Sequence, residues 1–212
     1  MKKVYRFAVY AAGLLILALG IALNTKTGLG VSPIISVSYS ISYITGFDFG
    51  NMTLCLYILF VIAQFAIKGK NAQKKDILQI PLSIVFTRFL NLFADLLPEG
   101  PTVLWQQFLL LLAAVWLTGM GLSMSVNMRL IPNPGDGIVQ AIADRTHREM
   151  GLVKNLFDVG NITVTAVVGF VSGHPLLGIG AGTVVAVLGV GRSVAVFNHF
   201  FKDSMDRLAE KG

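Results

Sequence analysis

Asp136 stands two residues after Pro134, in the run Pro132–Asn133–Pro134–Gly135–Asp136–Gly137. As a lone acid in an apolar neighbourhood it either pairs with a cation or titrates, which makes it the first candidate for chemistry. A second proline-led run, Gly28–Leu29–Gly30–Val31–Ser32–Pro33, has the same outline. Proline fits the first turn of a helix, where its missing N–H would have no partner, and Ser32 and Asn133 stand where an N-cap belongs. The free N–H groups and positive dipole end of such a helix attract an anionic group. After Pro33, Ser36, Tyr39, Ser40 and Tyr43 recur at helical spacing and share one face, which Ser38 and Ser42 widen. That stripe reads either as a water-accessible lining or as serines bonded to their own backbone. Arg88 and Arg192 fall inside apolar runs and correspond under an offset of 104 residues. They face a shared anionic solute, or each neutralises a buried acid such as Asp136 or Asp158. The candidate binding residues are therefore Ser32, Pro33, Ser36, Tyr39, Tyr43, Arg88, Asn133, Pro134, Gly135, Asp136 and Arg192.

Other chemistry finds no footing. His147, His174 and His199 lie in loops or at the ends of apolar runs, so no histidine stands beside a buried serine as a nucleophile would need. His147 and Glu149 lack a third ligand nearby for a metal. No nucleotide-binding loop is present. Neither an enzyme nor a cofactor is expected. Lys154 and Asp158, four apart on a helix, are expected to pair with each other. Asn91, Asn155 and Asn161 serve helix–helix contacts as readily as ligand contacts.

The elements that must position these residues follow from composition. Of 212 residues, 54% are apolar and only 13% charged, with a mean hydropathy of +0.71. A soluble domain carries roughly 25% charged residues to cover its surface. Half that fraction describes an integral membrane protein, and excludes disorder, a disulfide scaffold and a nucleic-acid binder. The net charge of +6 then reflects the Lys and Arg that cytoplasmic loops collect. Cys55, the single cysteine, lies in an apolar run and faces lipid or core.

A bilayer core needs roughly 20 helical residues. The stretches 7–24, 51–67, 77–97, 103–128, 152–171 and 176–200 meet or approach that length. Two shorter ones, Pro33–Thr45 and Pro134–Thr146, would reach only about 20 Å as helices. The first stretch follows Lys2, Lys3 and Arg6 but has no small-residue cleavage site, so it reads as a retained span. Basic residues place the N-terminus, the loop holding Lys68, Lys70, Lys74 and Lys75, the loops with Arg129, Arg145, Arg148 and Lys154, and the end with Lys202, Arg207 and Lys211 in the cytoplasm. Only Lys26 is on the wrong side. This requires the two short segments to dip in without crossing, giving six spans with both termini inside, with eight as the fallback.

Sliding the chain by 101 residues aligns Gly20 with Gly121, Pro33 with Pro134 and Gly50 with Gly151, without a gap. Asp48 then meets Glu149, and Phe7 meets Phe108. Each repeat, 1–100 and 101–212, is a long span, a short segment and two long spans. Three crossings per repeat is odd, so the second repeat is expected to be inverted, a plan that places a transporter's site at the repeat interface. Irregular backbone at membrane depth is tolerated where it lines a cavity or is buried in protein; the other reading makes both segments interfacial loops with ordinary caps. Gly178–x3–Gly182–x3–Ala186 reads as a ridge for close helix packing.

These motifs resemble the YczE/YyaS/YitT family of small bacterial membrane proteins. Asn133–Pro134–Gly135–Asp136–Gly137 is similar to that family's Pro-x-Asp-Gly opening of a short helix, and Gly151–Leu152–Val153 and Gly178–Ile179–Gly180–Ala181–Gly182–Thr183 to its later glycine motifs. In the first half Gly28–Leu29–Gly30–Val31 matches, whereas Ser32–Pro33 stands where the family often has an acid. The resemblance implies the fold and a transport role with no agreed substrate. The expected protein is an all-α membrane protein of six transmembrane helices, two Pro-led half-helices and two inverted repeats, in the bacterial inner membrane. It is expected to carry a small solute, with an anion among the candidates, through a site at the half-helix tips. The rival is a non-transporting scaffold or accessory subunit. The partners are the solute and the lipid bilayer, with homo-oligomerisation open.

Overall fold

The computed structural model describes residues 2–210; Lys211, counted above among the basic residues of the C-terminal end, lies outside them. The described residues are helical throughout, with eight α-helices: α1 Lys2–Thr25, α2 Pro33–Thr45, α3 Phe49–Lys68, α4 Gln79–Leu96, α5 Leu104–Asn127, α6 Pro134–Thr146, α7 Met150–Val171 and α8 Ala181–Glu210. Two 3₁₀ turns, Gly69–Asn71 and Lys74–Leu78, connect α3 to α4. The bounds of α2 and α6 coincide with the expected short segments, because each has a chemical start and stop. Proline occupies the first turn of both, and both end on a left-handed residue, Gly46 at φ +69° and His147 at φ +54°.

α1, α3, α4, α5 and α8 are long and apolar enough to cross a membrane. Their outward faces carry large apolar side chains such as Leu59, Ile62, Val85, Leu112, Trp116 and Leu188, all exposed. A soluble protein does not display so much apolar surface; this is a multi-pass membrane protein. α7 has 22 residues but carries Lys154, Asn155, Asp158 and Asn161, and is not among the five. Cys55 is exposed on α3.

α1 and α5 form the central pair and run antiparallel, Gly20 lying against Thr118 and Ala114 while Gly13 lies against Gly121 and Met124. The approach is close enough that a Cβ on Gly121 would come within 2.4 Å of the Leu17 backbone nitrogen. α4 flanks α1 and α8 flanks α5; α3 packs on α6, and α2 packs on α7. The main core gathers Leu17, Ile21, Val31, Ile35, Tyr57, Phe60, Leu90 and Ile138, where α1, α3 and α4 meet the beginnings of α2 and α6.

α8 departs from expectation at both ends. It starts at Ala181, five residues after Leu176, because Leu176 and Gly178 adopt φ of +66° and +77° and cannot continue a helix. Of the expected Gly178–Gly182–Ala186 packing ridge, Gly178 therefore falls outside the helix, while Gly182 and Ala186 lie on α8 and Ala186 is buried against Leu111 and Val115 of α5. Gly178 belongs to a loop laid across Gly28–Val31: Val31 N–H donates to the Gly178 carbonyl (2.9 Å), and Gly182 N–H, in the first turn of α8, donates to the Leu29 carbonyl (2.7 Å). Beyond Phe200, α8 continues for ten residues whose Met205 and Ala209 are buried; Met205 packs with Tyr10 and Met128.

Candidate functional site

The first tip is the N-terminus of α2. Its loop is fixed by the Val31–Gly178 hydrogen bond and by Ser32 N–H donating to Asn24 Oδ1 at 2.9 Å. Ser32 occupies the N-cap position, but its hydroxyl makes no capping hydrogen bond. Ser36, fully buried one turn later, donates to the Pro33 carbonyl and lies 2.7 Å from the Thr165 hydroxyl of α7. The remainder of the expected α2 stripe diverges. Ser40 donates to the Leu177 carbonyl at 2.8 Å. Tyr39 stands edge-on to Phe49 and lines a cavity of about 400 Å³ with Gly28–Val31 and Leu176–Ala181. Tyr43 is exposed at the far end of the helix, beside His174.

The second tip is the N-terminus of α6. Here the cap is made: Asn133 Oδ1 accepts from Gly135 N–H at 3.0 Å. Gln64 of α3 and Gln79 of α4, both fully buried, exchange reciprocal amide hydrogen bonds of 3.1 and 3.0 Å, and Gln64 also donates to the Pro134 carbonyl at 3.3 Å. Tyr57, buried on the same face of α3, lies near the Asn133 side chain. Asp136 is half-buried and lies in the electrostatic field of Lys154 and Asp158 on α7. Those two pair as their spacing implied, Lys154 Nζ to Asp158 Oδ2 at 3.6 Å. Asp158 Oδ1 is buried with no hydrogen-bond partner among the described residues.

The two tips meet. A Cβ on Gly135 would lie 3.1 Å from Ile34 Cγ2, so the first turns of α2 and α6 abut and residue 135 must be small. α7 runs along both. Its Lys154, Asp158, Asn161 and Thr165, at spacing 4, 3 and 4, occupy one face, of which Asp158, Asn161 and Thr165 are buried. This face reaches Asp136 at one end and Ser36 at the other. The structure thus brings together Ser32, Pro33, Ser36, Asn133, Pro134, Gly135 and Asp136. It leaves Arg88 and Arg192 apart from them. Arg88 is exposed on α4 and donates to Asn51 in the first turn of α3, beside the Asn91–Asp48 hydrogen bond of 2.7 Å. Arg192 is exposed on α8 and makes no hydrogen bond or ion pair among the described residues.

Tyr57, Gln64, Gln79 and Thr165 were not singled out from sequence. A signal existed: Thr53, Tyr57 and Gln64 repeat at helical spacing along α3, as the α7 residues do, in helices otherwise apolar on that face. A second cavity, of about 940 Å³, opens beyond the C-terminal end of α6, lined by Lys68, Lys70, Asp144, Arg145 and His147 among others.

The chain is 26% identical over 182 residues to a protein of Haemophilus influenzae described as uncharacterized, an alignment covering 86% of this chain and 78% of that one. No solved structure matches. The specific resemblance to the YczE/YyaS/YitT family finds no support in these comparisons. A family model described only as a family of unknown function, DUF6198, matches residues 4–199, and the chain, with its paired half-helices and polar α7 seam, belongs to that family.

Proposed function

We propose that this protein is a secondary transporter of a small, anionic solute in the bacterial inner membrane, not an enzyme, and that the site lies where the α2 and α6 tips meet. The observation that carries the reading is the buried polar face of α7, joining Asp136 to Ser36 in a helix that would otherwise be apolar. Buried polar groups are costly in a membrane protein and persist where solute or ion contacts use them. Asn24, 4% exposed, leaves its side-chain N–H₂ without a partner beside the first tip. An unpaired donor next to a helix N-terminus suits an anion.

Inverted repeats support the same reading. The 101-residue offset carries Ser36 onto Gly137 and Gln64 onto Thr165, and the contacts exchange accordingly: Thr165 touches Ser36, and Gln64 touches Gly137. It also carries Gly20, Leu17 and Gly13 onto Gly121, Thr118 and Ala114, which exchange in the same way across the antiparallel α1–α5 pair. A two-fold axis between antiparallel helices inverts one repeat relative to the other. With α7 as the sixth span, both termini then lie in the cytoplasm, and each half-helix enters from its own side.

Water access is the test. Cys55 is replaced by Ser, and single cysteines are placed at Ser36, Asn161 and Thr165, with lipid-facing Val164 as control. A small hydrophilic, membrane-impermeant thiol reagent is applied to right-side-out and inverted vesicles. A transporter exposes at least one of the three buried positions from one side, and leaves Val164→Cys unlabelled. If all three resist labelling from both sides in folded protein, the seam is static packing and the scaffold reading replaces transport.

A further inference from the structure

We infer that the Asp136–Asp158 cluster at the second tip binds one exchangeable monovalent cation, a sodium-sized ion or a proton, as the coupling partner of the proposed transport. The inference rests on that reading for its role but on separate observations for the binding. Asp136 lies in the electrostatic field of the Lys154–Asp158 pair, so two carboxylates and one ammonium group form the cluster. Fully ionised, they leave one negative charge among apolar helices, which a low-dielectric interior does not sustain without a counter-charge.

The geometry shows where that counter-charge belongs. Lys154 reaches Asp158 through Oδ2, at 3.6 Å, and is itself one-third exposed. Asp158 is 4% exposed, and its other oxygen, Oδ1, has no donor among the described residues. A buried carboxylate oxygen without a partner is a standing cost that a proton or a hard cation removes. Among the described residues, the elements around the cluster offer no further positive group. α3 contributes the Tyr57 hydroxyl, and α6 contributes Asp136 with the Asn133 side chain next to it. α2 presents Ser36 to α7, its tyrosines being placed against Phe49 and near His174. Arg145 and Arg148 are exposed past the other end of α6, and Lys68 is paired with Asp76 at 2.9 Å. The groups free to receive a cation are carboxylate oxygens, first among them the unpartnered Asp158 Oδ1, which a sodium-sized ion or a shared proton uses.

The experiment measures cation binding at equilibrium and needs no solute. Purified protein in detergent is melted at fixed pH while sodium replaces choline at constant ionic strength. It is melted again in sodium-free buffer from about pH 8 down to about pH 5, a range in which perturbed carboxyls titrate. Binding to the folded state raises the melting temperature with the logarithm of cation concentration. A rise with sodium identifies the ion, and a rise with acid alone identifies the proton. Either rise should vanish in Asp158→Asn and Asp136→Asn and persist in Asp206→Asn, whose carboxylate belongs to the Arg129 ion pair. Wild-type protein insensitive to both cations overturns the proposal, whether or not the variants fold. So does a response that survives in the Asp136→Asn, Asp158→Asn double variant. Failure here with labelled Asn161→Cys leaves an uncoupled carrier, whereas binding here with unlabelled seam cysteines leaves a structural ion in a scaffold.

Discussion

The first tip is neutral and the second is charged, although both are Pro-led helix starts held against a polar face of a long helix. At the first, hydroxyls and amides do all the bonding: Ser36 meets Thr165, and Ser32 N–H meets Asn24. At the second, two glutamines hold the backbone while Asp136, Asp158 and Lys154 gather beside it. What each leaves unsatisfied is opposite in kind. The first keeps a spare donor, Asn24 Nδ2, and the second a spare acceptor, Asp158 Oδ1. Two similar helix starts have thus been given complementary leftover valences, one suited to an anion and one to a cation. The backbone decides where such a tip forms; the side chains placed on it decide what it attracts.

The largest expected effect breaks the charged half. Lys154→Met removes the cation that pairs with Asp158 among the described residues, and loss of one partner from a buried ion pair costs about 3–5 kcal/mol. Because Lys154 is 34% exposed, about 3 kcal/mol is expected, read from unfolding in mixed micelles. Adding Asp158→Asn should restore most of it, since the double variant no longer buries an unpaired charge. A Lys154→Met protein as stable as wild type would mean that the cluster is solvated and the contrast between the tips is lost.

A smaller pair of changes compares the equivalent struts directly. Gln64→Ala strands the Gln79 amide and the Pro134 carbonyl in a buried site, for which about 2 kcal/mol is expected. Thr165→Val at the first tip removes one shared hydroxyl bond while Ser36 still donates to Pro33, so about 1 kcal/mol is expected. Equal losses would show that the two tips are held by equal force and that only charge distinguishes them.

The sequence showed the tips but not their partners. Proline at one end and a terminator at the other set the limits of α2 and α6, and both signals are local. Lys154–Asp158 was legible for the same reason, as two residues four apart on one helix. Gln64, Gln79 and Tyr57 matter because α3 and α4 happen to pass the α6 tip, and no local pattern states which helix a glutamine will meet. Gly178 misled because a glycine ridge on a helix and a glycine crossing between two loops share one composition. They differ in the sign of φ at Leu176 and Gly178, which depends on the Gly28–Val31 loop lying across them. Arg88 was placed by its depth in an apolar run; its long side chain carries the charge to Asn51, beside the N-cap of α3.

The smallest expected effect concerns the two cap residues, which sequence treats as equivalent and structure does not. Asn133 accepts the Gly135 N–H, so Asn133→Ala should cost about 1 kcal/mol, the usual value of a lost N-cap. Ser32 makes no such bond, and what anchors its residue is a backbone N–H donating to Asn24, which alanine keeps. Ser32→Ala should therefore change stability by no more than about 0.3 kcal/mol, the scale of an uninvolved substitution. Asn24→Ala strips the acceptor from that N–H and should cost more than Ser32→Ala, though it changes a residue eight positions away in sequence. The three variants are melted side by side in one detergent. If Ser32→Ala proves as costly as Asn133→Ala, the serine hydroxyl caps α2 in the bilayer, and the first tip has no reason to hold Asn24 as its anchor. If Asn24→Ala alone is costly, the free donor at the first tip sits on a residue the fold already requires, and the α2 N–H groups left uncapped by Ser32 remain open to the proposed solute.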